Sequence, residues 1–264
     1  MTSFKELIKP FLRDHVFAGR SLLFLEEVDS TNRLCMSNPE LLKCSGLVVH
    51  AKRQTRGMGR MGRKWEQGQG EHLFCSFVLE PPSAIQYPPT LTLLCGLGVS
   101  RALKKLGLSD REVSIKWPND ILVGKQKVSG ILCQAATVND RSVIVAGIGV
   151  NLKGNASQFS KELSKKVTTL EEHGLYVTAE RLLKVLSVEI EKILQDVDQG
   201  NIDILLHQWI QEAMCIGRQI YFEKQGRHIN GTITGLDSVG RLIVKEGNGK
   251  IHVVDSGEID FDYS

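Results

Sequence analysis

Residues 52–71 read KRQTRGMGRMGRKWEQGQGE, and the way this stretch is parsed decides the fold. Gly57, Gly59 and Gly62 spell G-x-G-x-x-G, the dinucleotide fingerprint of a doubly wound α/β sheet. That fingerprint works only where a helix opens directly after the loop and aims its N-terminal amides at a pyrophosphate. Here Gly68 and Gly70 break any helix, and the residues that follow, 72–79 (HLFCSFVL), read as a strand. The glycines therefore belong to a loop between strands, and a Rossmann architecture is excluded. The first fourteen residues of the stretch hold six cations, three glycines and no acid. Glycine lets backbone N–H groups approach an anion closely, and Arg and Lys supply the charge. Gln54 and Trp65 at the flanks point to a ligand with polar and apolar parts as well as an anionic one.

Composition bounds the alternatives. A run of cations is often a solvated face or a nucleic-acid patch, but a net charge of +3 over 264 residues is too small for general nucleic-acid binding. The basic loop also lacks the interleaved aromatics of a stacking surface. Cys35, Cys44, Cys75, Cys95, Cys133 and Cys215 form no CxxC pair and mostly sit in apolar runs, so buried free thiols are expected. Neither a signal-peptide core nor an 18-residue apolar stretch occurs, which points to a cytoplasmic protein with no membrane partner.

Outward from the loop, strands are expected at 22–25, 46–51, 72–79, 113–117, 121–123, 128–135 and 142–150. Helices are expected at 33–44 behind a Ser30 or Thr31 cap, at 90–106, at 178–197 and at 202–213. Short connections among the later strands indicate an α+β fold with a mixed or antiparallel central sheet and flanking helices. Beyond Gly217 the pattern changes to short strands at 218–222, 229–236, 242–245 and 250–254. A catalytic unit over 1–214 and a small barrel over 215–264 follow.

Four more clusters carry polar chemistry: Asp29-Ser30-Thr31-Asn32, Lys116-Trp117-Pro118-Asn119-Asp120, Lys127-Val128-Ser129-Gly130 and Gly147-Ile148-Gly149-Val150-Asn151. Each has an ordinary reading as cap, turn, solvated lysine or weakened strand. Taken in order with Q-x-x-G-x-G-R-x-G-R-x-W, they resemble the biotin–protein ligase family across nearly the whole chain. Residues 256–259 (SGEI) match the end of that family's SH3-like C-terminal barrel.

The resemblance implies a class II synthetase-like catalytic fold and a two-step reaction. Biotin and ATP give biotinyl-5′-AMP and pyrophosphate, and biotin then passes to a lysine of a biotin carboxyl carrier protein. It implies that Arg60 and Arg63 clamp the adenylate phosphate and that Lys127 bridges the biotin carboxylate and α-phosphate. Lys116 is a further cation for the triphosphate, and Asp120 is the expected Mg²⁺ ligand. Ser30, Thr31, Asn32, Gln54, Gly57, Trp65, Gly130 and Gly149 are expected around biotin, with Asn119 and Asn151 reading adenine. A homodimer is expected by the same resemblance. Bifunctional members carry a DNA-binding domain ahead of the catalytic one; the roughly twenty residues before the first strand are too few for one, so a ligase without operator binding is expected.

One position departs from the pattern. The family motif carries Arg where this chain has Met58, and Arg56 is a candidate substitute, with Met58→Arg expected to tighten retention. Three rivals remain: a lipoate or octanoate ligase of the same fold, a catalytically weakened biotin sensor, and a nucleic-acid-binding protein. The arginine-glycine loop followed by KWPND separates this chain from the first.

Overall fold

The computed structural model describes residues 4–85, 87–213, 215–224, 226–255 and 260–261. The chain opens with α1 (Phe4–Leu7), β1 (Lys9–Pro10) and β2 (Ala18–Val28), then α2 (Thr31–Met36), α3 (Pro39–Leu42), β3 (Gly46–Gln54) and β4 (His72–Leu79). α4 (Pro88–Lys105) leads into four consecutive strands, β5 (Val113–Lys116), β6 (Asp120–Val123), β7 (Gln126–Val138) and β8 (Arg141–Asn151). α5 (Ala179–Asp198) and α6 (Ile202–Ala213) close the first unit. The second holds β9 (Gln219–Lys224), β10 (Arg227–Leu236), β11 (Leu242–Lys245), β12 (Ile251–Val254) and β13 (Asp260–Phe261).

The large sheet has eight strands in the order β1-β2-β3-β4-β8-β7-β6-β5. β2 and β3 run parallel, because α2 and α3 carry the chain back across the sheet, and every other pairing is antiparallel. The mixed sheet is thus as the sequence indicates. α5 lies on one face with its stripe of Leu182, Leu186, Ile190, Ile193 and Val197 fully buried. Leu73, Cys75, Phe77 and Leu79 of β4 point into that same core. The alternate residues His72, Phe74 and Ser76 therefore point to the opposite face, where α2 sits and a cleft opens.

The expected helix over 33–44 is two helices. Ser30 caps the first, accepting from the Arg33 N–H at 3.5 Å, while Asn38 caps the second, with its side chain accepting from Glu40 and Leu41. Pro39 has no N–H to continue the first helix and disfavours helical angles at Asn38, which sits at φ −124°, ψ 100°. Thr31 and Asn32, at the start of α2, are buried against the sheet.

A buried carboxylate fixes the entry to β2. Glu191 of α5 accepts the backbone N–H groups of Val16, Phe17 and Ala18, each at 2.8 Å. Glu191→Ala leaves three donors without their acceptor, and a loss of about 3–5 kcal/mol in unfolding free energy is expected. Chemical denaturation measures it; a loss below about 1 kcal/mol contradicts this role.

The C-terminal sheet runs β12-β11-β10-β9-β13, antiparallel throughout. Its inner residues Ile220, Ile233, Leu242 and Val244 join one continuous apolar core with α4 and α6. Thr90 Oγ1 donates to the Val239 carbonyl at 2.7 Å, and Trp117 Nε1 donates to the Gly240 carbonyl at 3.4 Å. Trp117 of the KWPND cluster therefore ties the turn carrying Asn119 and Asp120 to the second unit. Residues 256–259, the expected SGEI match, lie outside the described residues.

Candidate active site

The glycine-rich stretch is a β-hairpin. Gly59 N–H donates to Arg63 O at 2.7 Å, Trp65 N–H donates to Gly57 O at 3.0 Å, and Met58 bridges Lys64. Its tip, Arg60–Gly62, is a single 3₁₀ turn in which Met61 adopts φ 53°, a conformation costly for a residue with a Cβ. The base is held by Thr55 N–H on Val28 O (2.9 Å) and Arg56 N–H on Asp29 O (2.7 Å), extending the parallel pairing of β2 and β3. The hairpin leans over a cleft of about 860 Å³.

The floor of that cleft is made of backbone. Gly130 of β7 pairs with Gly149 of β8, and Gly147 lies two residues away on the same face. A Cβ on Gly130 or Gly149 would stand 2.7 or 2.8 Å from the Trp65 indole, and one on Gly147 would run into the Asn32 carboxamide. The glycines of G-I-G-V-N are thus explained by close approach: the indole and the carboxamide lie directly on the sheet. The indole Nε1 is buried there with no acceptor among the described residues.

One wall is a hydrogen-bonded network from the DSTN turn. Gln54 Oε1 accepts from Thr31 N–H at 2.7 Å. Ser76 Oγ lies 2.6 Å from Asn32 Oδ1 and 2.7 Å from Thr31 Oγ1. Asn32 Oδ1 can only accept, so the single Ser76 proton goes there and the Ser76 oxygen accepts from Thr31. Asn32 Nδ2 donates to Leu132 O and Gln134 Oε1 at 3.0 and 3.1 Å. With its donors and acceptor so engaged, Asn32 pins α2 to β7.

The other end is cationic. Lys127 Nζ lies 2.6 Å from Asp120 Oδ1 and 5.3 Å from the centre of the Trp65 ring, a cation–π contact. Arg60 Nη1 donates to Asn119 Oδ1 at 3.2 Å, and Asn119 Nδ2 donates to Ile131 O at 3.0 Å. Burial lowers the pKa of Arg60, nearby Arg63 lowers it further, and Asp120 opposes them. The part-buried Arg60 and the exposed Arg63 feel each other's charge, and an anion beside them would relieve that repulsion. Asn151 Nδ2 donates to Thr168 O at 3.1 Å, while its Oδ1 is buried with no donor among the described residues. That oxygen can accept from an amino group.

His72 pairs with Asn151 across β4 and β8 and packs between Phe74 and Phe159. Burial lowers its pKa from 6.5, with the Gly68 backbone and Glu71 only partly compensating. The unfolded chain therefore takes up the proton first as pH falls. Stability is full above the unfolded value and declines below it, by up to about 1.4 kcal/mol per pH unit. His50 of β3 shifts the same way. His72→Gln is expected to flatten unfolding free energy between about pH 7.5 and 5.5; an unchanged slope in denaturant titrations contradicts it.

The cleft is lined by Ser30, Thr31, Asn32, Gln54, Arg60, Arg63, Trp65, Lys116, Asn119, Asp120, Lys127, Gly130, Gly149 and Asn151. Every residue expected from the sequence is therefore there except Gly57, which faces a second pocket of about 530 Å³ behind the hairpin, with Arg53 and Gln67. Arg56 is exposed and does not line the cleft. Sequence reasoning missed Phe74, Phe159, Lys125, Lys165 and Lys166, which also line it. The lysines look like ordinary surface residues along the chain. Phe74 had a signal, because it alternates with Ser76 on the face opposite the core.

Comparison with known proteins places this geometry. Residues 24–151 match the biotin/lipoate A/B protein ligase family, and residues 215–262 match the biotin protein ligase C-terminal domain. The chain is 30% identical over 246 residues to the bifunctional ligase/repressor BirA of Bacillus spizizenii, covering 90% of this chain and 74% of that protein. This chain belongs to the biotin protein ligase family. Another biotin protein ligase relative, the biotin–[acetyl-CoA-carboxylase] ligase of Paracoccus denitrificans, is 28% identical over 90% of this chain and 99% of its own. The biotin protein ligase of Aquifex aeolicus, solved with biotin and ATP, superposes with a TM-score of 0.76 at 29% identity, covering 92% of this chain and 99% of that one. The biotin protein ligase likeness thus takes in the cleft and the C-terminal sheet together.

Proposed function

We propose that this protein is an ATP-dependent, AMP-forming biotin–protein ligase whose cleft makes biotinyl-5′-AMP and passes the biotinyl group to a lysine of a biotin carboxyl carrier domain. The observation that carries the reading is the junction of an indole-covered glycine floor with the Lys127, Arg60 and Arg63 cations. The floor and Trp65 suit an apolar thioether ring and aliphatic tail, and the cations suit a carboxylate meeting a triphosphate.

In the first step a biotin carboxylate oxygen attacks the α-phosphorus and pyrophosphate leaves. Both reactants are anions, so their approach is opposed until cations stand between them. Lys127, over the Trp65 ring, neutralises the carboxylate, with Arg60 and Arg63 on the α-phosphate and Lys116 on the departing phosphates. Lys125, Lys165 and Lys166 extend this positive rim. Asn119, engaged on both polar atoms, aims Arg60, and Asn151 Oδ1 meets the adenine amino group. In the second step the carrier amine attacks the acyl carbon and AMP leaves. Thr31, Gln54 and Ser30 serve the ureido ring, with Asn32 as the brace behind them.

Magnesium enters as part of the ATP substrate. Among the described residues no cluster of three or more His, Cys, Asp or Glu side chains forms a metal cage. Asp120, already paired with Lys127, offers one hard oxygen. That donor set fits an ion whose octahedron is completed by phosphate and water.

The division at residues 214 and 215, a cytoplasmic location and a homodimer are parts of the same proposal. All six cysteines are free, as suits a reducing compartment. β1 pairs only with Ser21 and Leu22 of β2, so β2 offers an edge, carrying exposed Phe24, that suits a second copy. Biotin-dependent pyrophosphate–ATP exchange tests the activity. Exchange with biotin and none with lipoate or octanoate is expected; exchange with lipoate or octanoate alone, or with no acid, overturns the reading.

A further inference from the structure

Arg33 follows the DSTN turn, and its guanidinium joins three segments. Nη1 donates to Asp29 Oδ2 at 2.9 Å, and Nη2 lies 3.1 Å from the Met58 sulfur. Asp29 O in turn accepts the Arg56 N–H at the base of the hairpin. The end of β2, the start of α2 and the rising arm of the hairpin thus meet at one planar cation. Met58 lines the cleft and Arg33 does not, so Arg33 stands behind Met58 as seen from the ligand. A thioether is a weak but polarisable acceptor, and here it takes a hydrogen bond from the guanidinium.

From this geometry we infer that Arg33 is a positioning residue that latches the hairpin over the cleft through Met58. The inference rests on the ligase reading and deepens it. It also explains the departure at position 58: an arginine there would meet Arg33 at contact distance, two like charges side by side. Met58 and Arg33 form a matched pair, in which the cation has moved from the lid to the helix behind it. Arg56, exposed on the outside, does not take that role. Met58→Arg alone therefore loosens the lid, contrary to the expectation from the motif, and does so only while Arg33 is present.

The test follows release of biotinyl adenylate formed in place from biotin and MgATP without carrier, with pyrophosphate exchange in parallel. Arg33→Ala is expected to speed release about fivefold or more, with kcat for exchange within about twofold of the parent. Met58→Arg is expected to speed release as well, and the double variant Arg33→Ala, Met58→Arg to return within about twofold of the parent. Parent-like release from Arg33→Ala, or equal or slower release from Met58→Arg alone, overturns the latch. Limited trypsin digestion after Arg60, Arg63 or Lys64 reads the same latch without catalysis, and faster cleavage is expected in Arg33→Ala. If the parent shows no biotin-dependent exchange, the ligase reading fails, and the digestion still decides the latch: unchanged cleavage overturns it.

Discussion

Lys127→Met is expected to lower biotin-dependent pyrophosphate exchange by about 10²–10³ in kcat/KM, the cost of removing one preorganised charge from a developing transition state. The argument begins with the sheet. Lys127 lies near the start of β7, where its backbone is held by the segment 166–168, its N–H donating to Lys166 O and its O accepting from Thr168 N–H. The side chain then spans from Asp120 to the Trp65 ring, so the ammonium is fixed in direction before any ligand arrives. Biotin binding is expected to weaken less than the chemical step, because the glycine floor and indole remain. The Lys127–Asp120 pair is part-exposed, so the melting temperature should move by no more than about 3 °C. Exchange within about threefold of the parent would show that Lys127 is not the bridging cation.

Gly149→Val is expected to lower biotin affinity about 100-fold or more while the protein stays folded. The added Cβ falls 2.8–2.9 Å from the Trp65 ring, a side chain on the hairpin that can swing away. Losing the indole removes the lid of the apolar slot, and the branched valine fills its floor. Gly147→Ala makes the contrasting case. Its methyl meets Asn32, which is buried and bonded to Ser76, Leu132 and Gln134 and cannot swing. A stability loss of about 1–3 kcal/mol is expected there. Calorimetric titration with biotin beside thermal melts separates the two. Parent-like biotin affinity in Gly149→Val would remove the indole-covered floor from the account.

Much of this was legible along the chain because the signals are local. The strand at 72–79 and the helix at 178–197 announce themselves by apolar pattern; the strand is found at His72–Leu79 and the helix at Ala179–Asp198, with Thr178 as its cap. Turn chemistry and glycine mark the polar clusters at several separate points, but each alone reads as an ordinary cap, turn or strand end, and only the family resemblance joins them into one expected site. What could not be read depends on distant partners. Only the folded sheet shows that Gly147 clears Asn32 and that Gly130 and Gly149 clear Trp65. The Trp117–Gly240 contact joins residues over a hundred positions apart, so KWPND reads as a site motif while one of its members is a strut. Arg33 looks like a solvated helix residue until its guanidinium is found against Met58. The cap at Ser30 marks where a helix begins at this point in the chain, while Pro39 decides that it ends early and a second one starts.

The central claim is that a biotin carboxylate oxygen attacks the α-phosphorus of ATP in this cleft. Biotin labelled with ¹⁸O in the carboxylate, turned over with MgATP and a carrier domain, tests it by mass spectrometry of the products. One labelled oxygen is expected in AMP, with none in pyrophosphate, because the bond to the acyl carbon is the one that breaks on transfer. Label in inorganic phosphate beside ADP, or unlabelled AMP, would contradict it.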